Sequence, residues 1–126
     1  VAGLIQDDHG NILISQRTAT QSHPHYWEFP GGKIEPRESP EQALRRELKE
    51  ELGIQATIVG IYHVLFYSYP DYDILLLAYA CKTDETPRPI EVAQVRWVPI
   101  SALHQYSLLP ADLPIVEQLQ RENQGH

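Results

Sequence analysis

The chain has a single cysteine, Cys81, which excludes an internal disulfide and a zinc site built from several thiolates. Cys81 sits in an apolar run, so a buried thiol is expected. Positive charge is scarce. Ten Lys and Arg stand against 17 Asp and Glu, a formal net charge of −7. A broad electrostatic grip on a nucleic acid polymer is therefore not expected. A small phosphorylated ligand remains compatible where metal ions screen its charge. No hydrophobic run reaches transmembrane length and no signal peptide is visible, so no membrane partner is expected and the cytoplasm is the expected location. Methionine is absent, and the chain opens on what reads as mid-strand, so residues before Val1 are expected to have been trimmed. Repeats, low-complexity tracts and linkers are also missing. What remains is an ordinary charged fraction of 21% and a hydrophobic fraction of 42% over 126 residues. That composition suits one compact domain over 1–126, a monomer or weak dimer.

"VAGLIQ" (1–6) and "NILISQR" (11–17) are apolar runs split by "DDHG", and they predict a β-hairpin. "TATQSHPHYW" (18–27) reads as a loop, with His23 and His25 as solvated residues flanking Pro24. A helix is predicted from about Pro40 to Leu52, with Ser39 as N-cap, Gln42 completing a capping box and Gly53 as the left-handed residue beyond it. "ATIVGIYHVLFYSY" (56–69) and "DILLLAYACK" (73–82) predict a second hairpin joined by "PDY". "QVRWVPI" (94–100) predicts a strand, and "PADLPIVEQLQREN" (110–123) a final helix. This order predicts mixed strands with helices packed on their faces, an α+β or α/β fold.

The central helix carries an unusual load. A helix turns by about 100° per residue. Glu50 and Glu51 therefore flank Glu47, with small Ala43 one turn back. Leu44, Leu48 and Leu52 form an adjacent stripe that must face the core. Like charges at these spacings repel unless something neutralises them. A hard cation such as Mg²⁺, which takes oxygen ligands and substrate phosphates, would do so. The rival reading is a solvated amphipathic face. Gly31-Gly32 before the helix, and Glu38 and Arg46 at fixed offsets, are not needed by a plain solubilising face.

Gly32, Glu38, Arg46, Glu47, Leu48, Glu50, Glu51, Gly53 and Ile54 match every fixed position of the Nudix box, here 32–54. The chain thus resembles the Nudix hydrolases. The resemblance implies an α/β/α sandwich around a mixed sheet, and cleavage of nucleoside diphosphates linked to another moiety with Mg²⁺, or Mn²⁺ in its place.

"ILISQR", "EFPGGKIE" and "PADLPIV" resemble the MutT branch of that family, which removes oxidised nucleotides. This likeness implies Arg17 and Lys33 at the substrate phosphates. It implies Glu28, Phe29, Pro30 and Gly31 lining the base, with the Gly31 carbonyl, Glu47, Glu50, Glu51 and Glu91 as metal ligands. It implies Glu47 as acceptor of the water's proton, with Arg46 and Glu38 orienting the carboxylates. Two positions depart from the branch. Asp112 stands where MutT has the asparagine that reads the base, and Tyr72 where it has an arginine. The gapless register also puts Ser22 where MutT-like enzymes have a substrate-contacting histidine. A related branch, the CTP pyrophosphohydrolases, shows the same Pro-Ala-Asp run. The expected activity is therefore hydrolysis of 8-oxo-dGTP to 8-oxo-dGMP and pyrophosphate. CTP, dCTP or 5-hydroxy-dCTP is the alternative substrate, and a non-catalytic nucleotide-binding domain is a further one. Capping of the last helix is the competing role for Asp112.

Overall fold

The computed structural model describes residues 1–124. Along the chain run β1 (Ala2–Ile5), β2 (Asn11–Gln16), β3 (Trp27–Glu28), α1 (Pro40–Leu52), β4 (Thr57–Ser68), β5 (Asp73–Lys82), β6 (Gln94–Pro99) and α2 (Leu113–Gln124). All four residues of β1 are buried. A strand covered on both faces suits parallel pairing, and β1 runs parallel to β5 with Ala2 opposite Ala78 and Ile5 opposite Cys81. β4 completes this sheet in the order β1-β5-β4, pairing antiparallel with β5 as the second hairpin predicted.

The first predicted hairpin is corrected. Its turn forms: Asp7 Oδ1 accepts the N–H groups of His9 (2.9 Å) and Asn11 (2.8 Å). The two strands share only the bridge between Gln6 and Ile12. They then diverge, and β2 joins a second sheet in the order β3-β2-β6. The reason lies in the pattern of β1, an unbroken apolar run rather than an alternating one. Such a strand is covered on both faces, as one inside a sheet is, and here both of its edges are paired. β5 supplies one, and the segment around Gly31 supplies the other through Gly3 N–H to Pro30 O (2.7 Å) and Gly32 N–H to Val1 O (3.0 Å).

Helix α1 starts and stops as the sequence predicts. Ser39 Oγ accepts the Gln42 N–H at 3.2 Å, and Gln42 Oε1 accepts the Ser39 N–H at 2.9 Å. Gly53, at φ +67°, donates its N–H to Lys49 O at 3.0 Å. Replacing Ser39 by Ala removes one half of this box. The expected loss is about 1 kcal/mol of stability, read as a lower denaturation midpoint with the chemistry largely intact. An unchanged midpoint would show that the cap adds nothing.

Two apolar clusters flank the strands. Leu44, Leu48 and Leu52 of α1 pack with Ile5, Leu13, Ile54, Tyr79 and Cys81, which confirms the buried thiol. Ile115, Val116 and Leu119 of α2 pack with Leu4, Ile12, Ile14, Phe29 and Ala78. β2 alternates between the two, Leu13 facing α1 while Ile12 and Ile14 face α2. The strands thus lie between two helices, the expected α/β/α arrangement. The last helix begins later than predicted, at Leu113, after a 3-10 turn over Pro110–Asp112. Pro114 has no N–H to give to the Pro110 carbonyl, and the Leu113 N–H takes it at the tighter spacing. Among the described residues no helix is long and apolar enough to cross a membrane.

Candidate active site

The pairing of β1 with residues 30–32 sets the floor of the site. Ala2 and Gly31 face each other as a bridge whose hydrogen bonds are made by their neighbours. In such a pair the residue's own N–H and C=O point away from the partner strand. Gly31 therefore turns both groups away from β1, and its backbone N–H meets the Glu51 carboxyl of α1. Gly32 follows, and a Cβ there would overlap the Glu47 carboxyl group, with Oε1 only 2.6 Å away. The Glu47 carboxylate rests against the Gly32 Cα, so any side chain here would have to push it aside. Gly32→Ala is expected to displace Glu47 and lower turnover at least about tenfold, since small misplacements of reacting groups cost that much or more. Steady-state kinetics on the folded variant would check it, and wild-type turnover would refute it.

Arg46 organises the carboxylates. Its Nε and Nη2 grip both oxygens of Glu38 at 2.7 and 2.9 Å. Nη1 donates to Glu47 Oε1 at 2.9 Å and Glu50 Oε2 at 3.3 Å, and Nη2 also donates to Lys33 O at 2.9 Å. A planar fork with five N–H donors can do this and a lysine cannot. The Arg46 guanidinium holds the Glu38 carboxyl down at about 2, and Glu38 in turn raises the pKa of Arg46.

Beyond this fork the site is short of positive charge. Glu51 is 9% exposed, and its Oε1 has no hydrogen-bond partner. Burial, then the neighbouring Glu28 and Glu47, push its carboxyl up to about 8. Burial also raises Glu28, against the pull of Arg17. Among the described residues no three His, Cys, Asp or Glu side chains already surround one point closely enough to hold an ion. Arg46 accounts for this, because it draws Glu47 and Glu50 toward itself. The donor set nevertheless fits a hard divalent cation. Every donor is oxygen, one buried carboxylate oxygen is orphaned, and the crowded carboxylates carry a repulsion that a dication removes.

The remaining expected residues divide. Arg17 is next to the site, but its fork is engaged: Nη1 with Glu28 Oε2 (2.9 Å), Nε with Ser22 O (2.6 Å) and Nη2 with Ser22 Oγ (3.0 Å). Lys33 is exposed beside the glycines. Phe29 and Pro30 are buried, and Asp112, only 5% exposed, accepts the Phe29 N–H at 3.3 Å through Oδ2. That bond corrects the capping expectation. Among the described residues the Asp112 carboxylate takes no N–H of α2, because it lies inside the 3-10 turn and points back at Phe29. Burial, reinforced by Glu28, pushes the Asp112 carboxyl up to about 8. Glu91 is not brought into the cluster. Its backbone N–H bonds Glu51 O at 3.2 Å, but its side chain is exposed and makes no hydrogen bond or ion pair among the described residues.

The sequence reading singled out Tyr72 but missed the ring cluster around it. His23 stays in the predicted loop but is half-buried rather than solvated, and its ring packs on Tyr69, centroids 5.2 Å apart. Tyr69 in turn meets Tyr67 and Tyr72. The density of tyrosines over 67–72 was the available signal. A surface depression of about 290 Å³ is lined by Gln6, Gly10, Ile100, Leu119, Glu122 and Asn123 and involves none of these residues.

Known proteins resemble this chain in sequence and fold. The NUDIX domain model matches residues 1–119. The chain is 39% identical to a CTP pyrophosphohydrolase of Escherichia coli, over 93% of this chain and 87% of that one. It is 35% identical to an 8-oxo-dGTP diphosphatase of the same organism, over 94% and 93%. A crystal structure of a MutT protein from Methanosarcina mazei superposes with a TM-score of 0.86 over 97% of this chain and 91% of that one, at 23% identity, which speaks to the fold alone. With the whole box in place, and with the match running through both sheets and into α2, the chain belongs to the Nudix family.

Proposed function

We propose that the protein is a Mg²⁺-dependent nucleoside triphosphate pyrophosphohydrolase that removes oxidised nucleotides from the cytoplasmic pool, converting 8-oxo-dGTP to 8-oxo-dGMP and pyrophosphate. The observation that carries this reading is the crowded carboxylate group of Glu28, Glu47 and Glu51 beside the outward-turned Gly31 backbone. The Gly31 carbonyl, Glu47, Glu50 and Glu51 would hold the metal, with Glu91 joining them only if its loop moves inward. Mn²⁺ would serve in its place. When bound, such a cation neutralises phosphate charge and raises the acidity of water.

The chain's own residues do the rest. Arg46 and Glu38 fix the carboxylates in place. Glu47 Oε1 is held by Arg46, which leaves Oε2 to take a proton from the attacking water. Lys33 and Arg17 meet the phosphates, and Arg17 does so by releasing Ser22 or Glu28. Phe29 and Pro30 line the base. Asp112, with its carboxyl raised to about 8, is neutral at pH 7. A neutral carboxyl donates and accepts at once, as the asparagine amide of MutT does. That favours an oxidised guanine.

Asp112 also supports a second reading, hydrolysis of CTP, dCTP or 5-hydroxy-dCTP. An ionised Asp112 would accept the exocyclic amine of cytosine, and the 39% identical relative is named for CTP. One panel separates the two: kcat/KM for 8-oxo-dGTP, dGTP, CTP, dCTP and 5-hydroxy-dCTP, with and without Mg²⁺, and the products identified. Preference for 8-oxo-dGTP supports the first reading, and a cytosine nucleotide in first place replaces it with the second. No hydrolysis of any nucleotide with Mg²⁺ would leave a non-catalytic nucleotide-binding domain.

A further inference from the structure

Four rings meet where the β4–β5 hairpin reaches the Pro110–Asp112 turn. Tyr67 shares a face of β4 with Leu65, which packs against the core on the α2 side. Tyr67 and Tyr69 have centroids 4.8 Å apart, and Tyr69 and Tyr72 stack at 5.1 Å with 28° between their planes. His23 closes on Tyr69 from the loop between β2 and β3.

The hairpin does not need these rings to close. Its turn is made by the Tyr69 N–H to Tyr72 O bond (2.8 Å) and by Ser68 Oγ to Asp73 Oδ1 (2.7 Å). Nor are the rings ordinary core: Tyr72 is 49% exposed, while Tyr67, Tyr69 and His23 are half-buried. His23 reaches its place at φ +51°, in the left-handed region that histidine enters more readily than most non-glycine residues. The cluster is also fastened to the proposed base pocket. Tyr69 Oη accepts the Ala111 N–H at 3.1 Å, one residue before Asp112.

A nucleobase is a flat π-system. It presents a hydrogen-bonding edge and two faces, and Asp112 can read only the edge. Tyr72 stacks on Tyr69 and leaves half its surface to solvent, so a further flat ring extends the same stack. We infer that Tyr67, Tyr69 and Tyr72, braced by His23, form a stacking platform for the face of the substrate's base. This rests on the reading that Asp112 meets the base edge. The two contributions differ in kind. Every base has a π-face, so stacking strengthens binding without ranking the bases, whereas the edge contact ranks them.

The test uses the full chain and equilibrium binding of the monophosphates 8-oxo-dGMP and CMP, which requires no turnover. Tyr72→Ala is expected to weaken both monophosphates about tenfold, the scale of one lost base–aromatic stack, and to leave the Kd of inorganic pyrophosphate unchanged. Tyr72→Phe, which keeps the ring, should restore monophosphate binding. In turnover of the preferred triphosphate, the Tyr72→Ala loss should fall on KM more than on kcat. Unchanged monophosphate binding in Tyr72→Ala would overturn the platform, as would equal weakening of pyrophosphate or failure of Tyr72→Phe to rescue. The two proposals fail separately. A wild-type protein that binds the monophosphates through Tyr72 but hydrolyses no triphosphate would sink the proposed activity and keep the platform. Hydrolysis with indifferent monophosphate binding would do the reverse.

Discussion

Glu47→Gln is expected to lower Mg²⁺-dependent turnover at least about a hundredfold, the usual scale for a lost general base. Glutamine has nearly the same shape as glutamate, so it fits the space that Gly32 leaves. Its amide oxygen can still accept from Arg46 Nη1, which now donates at 2.9 Å. What disappears is the charge and the ability to take a proton. Fold and stability should therefore survive, and the loss should appear in kcat with KM changing less. Near-normal turnover by a folded Glu47→Gln protein would remove Glu47 from the chemistry. The acceptor would then have to be sought at Glu50 or Glu51.

Asp112→Ala is expected to compress discrimination between preferred and poor nucleotides by about 1–3 kcal/mol, because a buried hydrogen-bonding partner of the base is lost. Turnover of a poor nucleotide should barely change. A lowered melting temperature with the ranking intact would instead mean that Asp112 only secures the Phe29 N–H. A second measurement isolates its protonation. The folded pKa, about 8, lies above the unfolded value of 3.8, so the folded chain keeps a proton that the unfolded chain releases. The folded state is then favoured at low pH, and stability falls as pH rises through this window and levels off above it. Asp112→Asn carries no such proton. Its stability should fall less than that of the wild type between about pH 5 and pH 8, by at least about 1 kcal/mol, because a one-proton difference between folded and unfolded chains is worth about 1.4 kcal/mol for each step of one in pH. Glu51, also raised, is present in both proteins, so the comparison removes its direct contribution. Parallel curves would show that Asp112 is ionised in the folded protein.

Several features of this protein were legible in the residues alone. Helix α1 begins at Pro40 and ends at Leu52 because Ser39, Gln42 and Gly53 act on backbone groups three or four positions away. The strip of Glu47, Glu50 and Glu51 follows from helical spacing, and the β4–β5 hairpin from two apolar runs joined by a short turn. The Nudix box could be recognised because its members sit on one helix and the short segments just before and after it.

Tertiary structure decided the rest. β1 left its sequence neighbour for β5, with Ala2 opposite Ala78. An unbroken apolar run says that both faces are buried and does not say which strand lies beside it. The Asp112 side chain took the N–H of Phe29, 83 positions away, instead of capping its own helix. The ring of His23, in a polar loop, met Tyr69, 46 positions away in sequence, for the same reason. Local rules set the dihedral angles and the direction in which each side chain starts. Burial, partner and protonation depend on what other segments bring to the same place, and desolvation makes those distant neighbours decide whether a carboxyl such as Asp112 or Glu51 keeps its proton.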